Sequence, residues 1–199
     1  YTSFIFGPNN VKLIAKITGL LNWIDGDTSP DRVLDYLDLI MDEVVETREL
    51  VVAIGATASH IAEANAMDVV FGYGCGLDMT RRDLQGEAKK MGRPWDWGKA
   101  FDNSAPISAI KPIADVPSVE TGRIWLSVNG ELRQDADLSD LIWSVPEMIS
   151  TLSHSMELLP GDLIMTGTPA GVGPLVEGDV CVVSIDGLGD LTTHIGPKE

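Results

Sequence analysis

Apolar residues along the chain fall into short runs and alternations that are typical of strands. Residues 49–55 (ELVVAIG) form an apolar run behind one acid and predict a buried strand. The next such segment ends at Asp78 and carries glycines at every second position, which leaves one face of a strand open to a close neighbour. Asn129-Gly130 predicts a hairpin that returns over residues 131–134. Further strands are predicted at residues 2–6, 123–128, 163–166 and 179–185.

Helical spacing of the apolar positions marks fewer segments. Apolar residues recur every three or four positions over residues 31–46 and predict an amphipathic helix with its acids on the solvated face. Thr80 is placed to cap a helix over residues 81–90, with Asp83 in its first turn. Other helices are predicted at residues 11–21, at 59–65 with Ser59 as N-cap, and at 141–156 with Pro146 in the first turn. This balance predicts a strand-rich α+β protein with a few helices.

Residues 71–105 hold most of the candidate chemistry, because they combine glycines, acids, a lysine and aromatic side chains. Asp78 directly follows a predicted strand, and a carboxylate at a strand end can face a cavity. Lys99 follows Trp95 and Trp97, and an aromatic surround that removes water from a lysine makes it a partner for an anionic ligand. The alternative is that the glycines are packing devices, that the acid caps a helix and that the tryptophans belong to core and rim.

Composition narrows the possible functions. The 199 residues, 44% of them hydrophobic, are enough for one domain with a sizeable core. Thirty acidic against 14 basic residues give a net charge of −16, which argues against binding to nucleic acid or to an anionic membrane surface. Cys75 and Cys181 lie far apart, which argues against a zinc cluster or a disulfide scaffold and favours a cytoplasmic location. No run has transmembrane length, and the first residues show no signal-peptide pattern. Because the chain begins at Tyr1 and not at a methionine, we expect the native start to lie upstream.

Three common types of site find no support in the motifs. The glycine-rich loop at residues 166–173 lacks the Lys-Ser/Thr ending of a P-loop, so nucleotide binding is not indicated. The histidines, His60, His154 and His194, have no spacing that would chelate a metal, and we interpret them as surface or supporting residues. A Gly-x-Ser-x-Gly elbow is missing from the sequence, so serine-hydrolase chemistry is not indicated either.

Three blocks of sequence, in the same order, resemble the fumarylacetoacetate hydrolase superfamily, and most closely its fumarylpyruvate and acylpyruvate hydrolases. The blocks are GLDMTRRDLQ with GRPWD and a lysine (76–85, 92–96 and Lys99), VNGELRQ (128–134) and LPGDLIMTGTPAGVG (159–173). The likeness covers about residues 49–185. It implies a rolled mixed β-sheet of the type found in the C-terminal domain of that family, with a few peripheral helices. Residues 47–199 would form this catalytic domain, after an N-terminal segment, 1–46, of uncertain structure.

The resemblance also implies a metal site and a reaction. Members of the family bind Mg²⁺ or Mn²⁺ through three carboxylates, of which Glu49 and Asp78 would be two, while Thr47 stands at the position of the third. Lys99 and Gln85 would be catalytic, and Thr168, Gly167 and Arg82 would bind the substrate. The implied reaction is cleavage of a C–C bond in an acylpyruvate such as fumarylpyruvate, through a pyruvate enolate. A small anionic oxo acid as substrate, a place in aromatic catabolism and a homodimer are implied as well.

The sequence departs from the family pattern at positions that bear on activity. Thr47 replaces a ligand glutamate, and Val45 and Glu46 stand where histidines usually precede it. Leu13 and Lys16 fall where the family carries a general-base histidine and glutamate. Two alternatives to an active hydrolase therefore stay open: a related oxaloacetate decarboxylase or isomerase, and a catalytically impaired member that serves as a structural or regulatory subunit.

Overall fold

A computed structural model describes residues 5–6, 44–45, 47–168 and 172–197. The strands are β1 Ile5–Phe6, β2 Val44–Val45, β3 Arg48–Ile54, β4 Val70–Leu77, β5 Thr80–Arg81, β6 Lys111–Pro112, β7 Arg123–Val128, β8 Glu131–Asp137, β9 Leu163–Met165, β10 Pro174–Leu175, β11 Val180–Ile185 and β12 Gly189–His194. The α-helices are α1 Arg82–Lys90, α2 Asp96–Lys99 and α3 Val145–Ser155. Short 3₁₀ helices cover Glu63–Val69, Ile113–Asp115 and Leu138–Asp140. Within these described ranges, no helix is both long and apolar enough to cross a bilayer.

The strands form three sheets, and β3 lies at the centre of the largest. Their orders are β1-β9-β3-β4-β6, β12-β11-β7-β8 and β10-β2-β5. Every pairing between described strands is antiparallel, where the resemblance implied a mixed sheet. All seven residues of β3 are buried, which explains why its sequence is an apolar run. Because β3 pairs with both β4 and β9, it brings sequence-distant segments to one place.

Alternate residues of β3 serve different surroundings. Leu50, Val52 and Ile54 belong to the main hydrophobic core, together with residues from β4, β7 and β11. Burial of such a side chain stabilises the fold by about 1.5–3 kcal/mol. Because strand side chains alternate, Arg48 shares this core face, while Thr47 and Glu49 lie on the opposite face. The sequence prediction that residues 47 and 49 share a face follows from this register.

The alternate glycines of β4 are packing devices, as the alternative interpretation proposed. A Cβ atom on Gly72 would lie 1.9 Å from the backbone oxygen of Lys111, and one on Gly76 would lie 2.5 Å from Cγ2 of Val51. Both positions are therefore closed to any side chain by neighbouring protein atoms. The bare face of the strand receives β6 and the side chains of β3, so no ligand is needed to explain the glycine pattern.

The N-terminal half contains two wrong helix predictions. Val44–Val45 forms a strand between β5 and β10 rather than the end of a helix, because both neighbours offer backbone partners to these β-branched residues. The remainder of the helix predicted at 31–46, and the one predicted at 11–21, lie outside the described residues. The helix predicted at 59–65 is replaced by the 3₁₀ helix Glu63–Val69. Its predicted cap, Ser59, lies in a segment held against α3, where the backbone N–H of His60 donates to the backbone oxygen of Ser153.

Other elements agree more closely with the sequence. The hairpin between β7 and β8 turns at Asn129 and Gly130, which adopt positive φ angles of 53° and 81°. Helix α3 begins at Val145, later than predicted, because Ser144 caps it in a reciprocal arrangement with Glu147. Strand β12 has a polar sequence, GDLTTH, and was missed, because an edge strand with alternating exposure lacks a strong apolar signal.

Candidate active site

The backbone pairing of β3 with β4 brings the two predicted carboxylate ligands to the same end of the sheet. Glu49 pairs with Gly76, two residues before Asp78. The contact continues past the strand end, because the N–H of Asp78 donates to the backbone oxygen of Thr47 at 2.8 Å. The Asp78 charge in turn contributes to raising the pKa of Glu49. The structure therefore brings together the two acids that the sequence singled out.

Glu49 is a buried acid with one strong hydrogen bond. Its side chain is 2% exposed, and its Oε2 accepts a hydrogen bond of 2.8 Å from the backbone N–H of Gly167. Burial raises the pKa of Glu49 to about 8, with the bond from Gly167 and the charge of Lys99 acting in the opposite direction. In the protein alone, this carboxyl group is therefore mostly protonated at neutral pH.

Lys99 lies directly against Asp78. Its ammonium forms an ion pair with Oδ2 of Asp78 and donates a hydrogen bond of 2.7 Å to Oγ1 of Thr80. Burial raises the pKa of Asp78, while Lys99 and Arg82 act to lower it. Lys99 is 8% exposed, and Trp95 and Trp97 before it are half-buried. The lysine is thus desolvated as predicted, although the partners that fix its ammonium are polar.

Close packing between two helices places Lys99. Helix α2 lies against α1, and a Cβ atom on Gly98 would come within 3.0 Å of the Arg81 oxygen and of the Gln85 nitrogen. A side chain here would require its neighbours to move by a few tenths of an ångström, so Gly98 favours the close approach that sets Lys99 beside the end of β4. The cap predicted for α1 is wrong. Thr80 belongs to β5, and the hydroxyl expected to cap the helix instead accepts the hydrogen bond from Lys99.

Arg82 and Gln85 occupy the first turns of α1 next to this cluster. Nη1 of Arg82 donates a hydrogen bond of 2.7 Å to Oε1 of Gln85, so the two predicted residues act as a pair. Gln85 is 9% exposed, while Arg82 is half-buried. The Arg82 charge acts to lower the pKa of Asp78, against the larger effect of burial, which raises it. Arg82 and Gln85 together provide donors for an anionic ligand.

The segment after β9 joins the same end of the sheet. Gly167 donates to Glu49, and Oγ1 of Thr168 accepts a hydrogen bond of 3.3 Å from Nε2 of Gln134. Residues 169–171 of this loop lie outside the described residues. Gln134 and Thr80 both contact predicted site residues, but neither was named as a site residue from the sequence. Gln134 ends the VNGELRQ block, and Thr80 stands two residues after Asp78 in the GLDMTRRDLQ block. Their positions within these two family-like blocks are the sequence feature from which both could have been predicted as site residues.

Thr47 occupies the position of the third ligand without supplying a carboxylate. Its hydroxyl donates a hydrogen bond of 2.9 Å to the backbone oxygen of Asp78, and the residue is 4% exposed. Over the described part of the chain, no three His, Cys, Asp or Glu side chains are grouped closely enough to hold a metal ion by themselves. The other departures from the family pattern, Leu13, Lys16 and Glu46, lie outside the described residues.

The histidines named in the sequence lie on the surface. His60 and His154 are exposed and pack edge to face, with ring centroids 5.2 Å apart. His154 is on α3, and His194 ends β12. The first two rings make local hydrogen bonds, His60 with the hydroxyl of Ser59 and His154 with the backbone oxygen of Ser150. Their interpretation as surface residues agrees with these positions.

Comparison with known proteins connects this arrangement to enzymes. The family model described as fumarylacetoacetate hydrolase C-terminal matches residues 42–196. The chain is 46% identical over 151 residues to a fumarylpyruvate hydrolase from Ralstonia, which covers 76% of this chain and 78% of the relative. It is also 49% identical over 151 residues to a mitochondrial oxaloacetate tautomerase from Mus musculus, and this alignment covers 76% of this chain and 68% of the relative.

Solved structures extend the comparison to the fold. Fumarylpyruvate hydrolase from Pseudomonas aeruginosa, in complex with Mn²⁺ and pyruvate, matches with a TM-score of 0.77 and 47% identity over 78% of this chain and 67% of that one. A 5-carboxymethyl-2-hydroxymuconate delta-isomerase from Mycobacterium smegmatis matches with a TM-score of 0.73 and 32% identity, over 80% of this chain and 61% of that one. The predicted strand-rich fold class is confirmed. Since one family model spans most of the chain and solved relatives share its fold, the chain belongs to the fumarylacetoacetate hydrolase family, whose C-terminal domain it matches.

Proposed function

We propose that the chain is a divalent-metal-dependent enzyme that cleaves the C–C bond of an acylpyruvate such as fumarylpyruvate. The observation that carries this proposal is the convergence of Glu49, Asp78 and Lys99 at the end of β3 and β4, next to Gly167 and Thr168. Relatives that are similar over most of the chain include a fumarylpyruvate hydrolase and a structure with Mn²⁺ and pyruvate. A cytoplasmic location stays a prediction from the two cysteines, and a role in aromatic catabolism and a homodimer stay predictions from the resemblance.

The donor set fits a hard divalent cation. Glu49 and Asp78 present carboxylate oxygens, and Mg²⁺ is commonly held by one or two carboxylates with water and substrate oxygens completing the shell. Since Thr47 adds no carboxylate, we expect the substrate's carboxylate and 2-oxo oxygens to provide a larger part of the binding energy than in a three-carboxylate site. When bound, the metal would supply Lewis-acid polarisation of the 2-oxo group and charge stabilisation for the enolate.

The other residues bind and orient an anionic oxo acid. The Thr168 hydroxyl and the Arg82 guanidinium are donors for carboxylate groups, and Gln85 holds Arg82 in place. In the reaction, the oxygen of a water molecule bonds to the acyl carbon, the bond between that carbon and C3 of the pyruvate part breaks, and C3 takes up a proton. The ammonium of Lys99 provides positive charge as this enolate develops, and its Nζ can hold the proton that C3 receives.

A second candidate is tautomerisation of oxaloacetate, which the similarity to oxaloacetate tautomerases favours. This reaction only moves a proton between C3 and the enol oxygen, so it needs no residue to activate water. The general-base positions of the family correspond to Leu13 and Lys16 in this chain, which is a specific reason to keep this candidate. If the chain is instead a catalytically impaired structural or regulatory subunit, it should catalyse neither reaction.

One assay separates these functions. With Mn²⁺ present, we expect the chain to release pyruvate from fumarylpyruvate, followed by oxidation of NADH with added lactate dehydrogenase. Decay of the enol absorbance of oxaloacetate, without pyruvate release from fumarylpyruvate, would favour the tautomerase. Glu157→Gln, which alters an exposed acid, is the control and should behave as the parent chain. Absence of both activities in a folded chain would support the impaired-subunit alternative.

Metal affinity should depend on pH through Glu49. Its pKa is raised to about 8, so below this pH a cation must displace a proton, and affinity should rise by up to about tenfold per pH unit before levelling off above pH 8. Titration calorimetry with Mn²⁺ in buffers of different ionisation enthalpy measures the released proton. We expect nearly one proton per Mn²⁺ at pH 6.5, and almost none above pH 9. Equal affinity at both ends of this range would show that Glu49 does not bind the cation.

A further inference from the structure

Gln134 is a buried polar residue on an otherwise exposed strand. Within β8, whose seven residues are all described, only Gln134 is buried, with 2% of its surface exposed. The pairing with β7 shifts at this point: Leu126 pairs with Gln134 and Ser127 with Leu132, so that Arg133 is skipped. This is a β-bulge, a feature that redirects a side chain next to a functional site. The bulge turns Gln134 away from solvent and towards β3.

The amide of Gln134 connects β3 to the loop after β9. Its Oε1 accepts a hydrogen bond of 3.2 Å from the backbone N–H of Arg48, and its Nε2 donates to Oγ1 of Thr168 at 3.3 Å. A backbone N–H can only donate, so Oε1 must face Arg48 and Nε2 must face Thr168. The orientation of the amide, which is otherwise ambiguous, is therefore fixed by chemistry.

This contact runs parallel to the one made by Glu49. The Glu49 carboxyl group accepts from Gly167, while the N–H of the preceding residue, Arg48, acts through Gln134 on Thr168. Two neighbouring residues of β3 thus hold two neighbouring residues of the loop. Because the Thr168 oxygen accepts a hydrogen bond from Gln134, the hydroxyl hydrogen points elsewhere and is available to an anion.

We propose that Gln134 is a positioning residue that fixes the Thr168 hydroxyl as a hydrogen-bond donor to the carboxylate of the substrate. This inference rests on the proposed function, in which Thr168 binds a 2-oxo acid. It extends that function because it assigns to the VNGELRQ hairpin a role in substrate affinity. Gln134 itself touches Thr168 and the β3 backbone, and its proposed effect on the substrate runs through Thr168.

The test reverses the polarity of the contact. In Gln134→Glu, the carboxylate still accepts from the Arg48 N–H, but it cannot donate to Thr168 and instead takes the hydroxyl hydrogen for itself. We expect the Kd of pyruvate, measured by calorimetry at saturating Mn²⁺, to increase about 10- to 100-fold, the value of a hydrogen bond to a charged group. The affinity for Mn²⁺ alone should change less than about twofold, because the carboxylates of Glu49 and Asp78 are untouched.

A double-mutant cycle distinguishes positioning from a general structural effect. Thr168→Val should weaken pyruvate binding by a similar factor, and the pair Gln134→Leu with Thr168→Val should lose no more than either change alone. Leu132→Ala, on the exposed part of the same strand, is the control and should bind pyruvate like the parent chain. If the Gln134 variants do not fold, the side-chain amide NMR signal of Gln134 in the parent chain provides the test, since it should shift on Thr168→Val and on pyruvate addition.

Three results would overturn the inference, and they distinguish the role of Gln134 from the proposed function. Unchanged pyruvate affinity in a folded Gln134→Glu variant, or fully additive losses in the cycle, would reject the role of Gln134 while leaving the proposed function intact. Failure of the parent chain to bind pyruvate in the presence of Mn²⁺ would reject the proposed function, and this inference with it.

Discussion

Replacing Arg48 with methionine is expected to raise the free energy of unfolding by about 1–4 kcal/mol. Arg48 is fully buried on the core face of β3, and among the residues that the structure describes, none accepts a hydrogen bond from its guanidinium. The opposite charge that acts on it, Asp135, is half exposed and already makes two hydrogen bonds to Arg123. An unpaired charge in a core is costly, and a linear apolar side chain can fill the same space.

The pH dependence of this gain gives an independent check. Burial lowers the pKa of Arg48 to about 10, well below its ordinary range. Since the folded state binds this proton less tightly than the unfolded chain, the cost is full below pH 10 and decreases as the pH rises above that value. The advantage of the methionine variant in urea denaturation should therefore be full at pH 7 and smaller at pH 11.

The matched control is Arg133→Met, which removes an arginine with 40% of its side chain exposed. A surface change of this kind should alter the free energy of unfolding by no more than about 0.5 kcal/mol. Loss of stability in Arg48→Met, with Arg133→Met neutral, would mean that the Arg48 guanidinium makes a favourable contact and is not a costly unpaired charge.

Asp78→Asn is expected to remove metal-dependent turnover and to weaken Mn²⁺ binding by more than the roughly 10- to 100-fold that loss of an outer contact costs. Asp78 is one of two carboxylates in the cluster and also the ion-pair partner of Lys99. Its amide analogue keeps the shape but removes the charge, so the cation loses a ligand and the lysine loses its partner. Calorimetry with Mn²⁺ and the pyruvate-release assay measure the two losses separately.

A comparison with Glu49→Gln separates charge from position in the same cluster. Glutamine can still accept the hydrogen bond from Gly167, so the loop should stay in place while the second carboxylate is lost. We expect Mn²⁺ binding to fall here as well, while the melting temperature should rise above about pH 5 and the gain should level off above pH 8, because the unfolded chain ionises Glu49 at its ordinary pKa of 4.5 and the folded protein only at about 8. Full turnover by Asp78→Asn would contradict the assignment of this cluster as the active site.

The sequence predicted the part of the site that depends on local pattern. The apolar run with Glu49 at its start and the glycine-rich strand before Asp78 were both visible, and an antiparallel pairing of the two brings their acids together. The contact between Lys99 and Asp78 was not predictable, because it depends on how closely α2 approaches α1 at Gly98. The prediction for Thr80 was wrong for a related reason. Its helix-capping preference is local, whereas its pairing in β5 depends on Val44–Val45, far away in sequence.

The different environments of the two faces of β3 restrict which insertions and deletions this protein can accept during evolution. Leu50, Val52 and Ile54 build the interior, while Glu49 on the opposite face belongs to the site, within seven consecutive residues. Insertion or deletion of a single codon in this segment would exchange the two faces, moving Leu50 into the site and Glu49 into the interior. Viable length changes here must therefore come in pairs of residues. Arg48 places a charge on the buried face of the strand, which is the kind of residue that this face tolerates least.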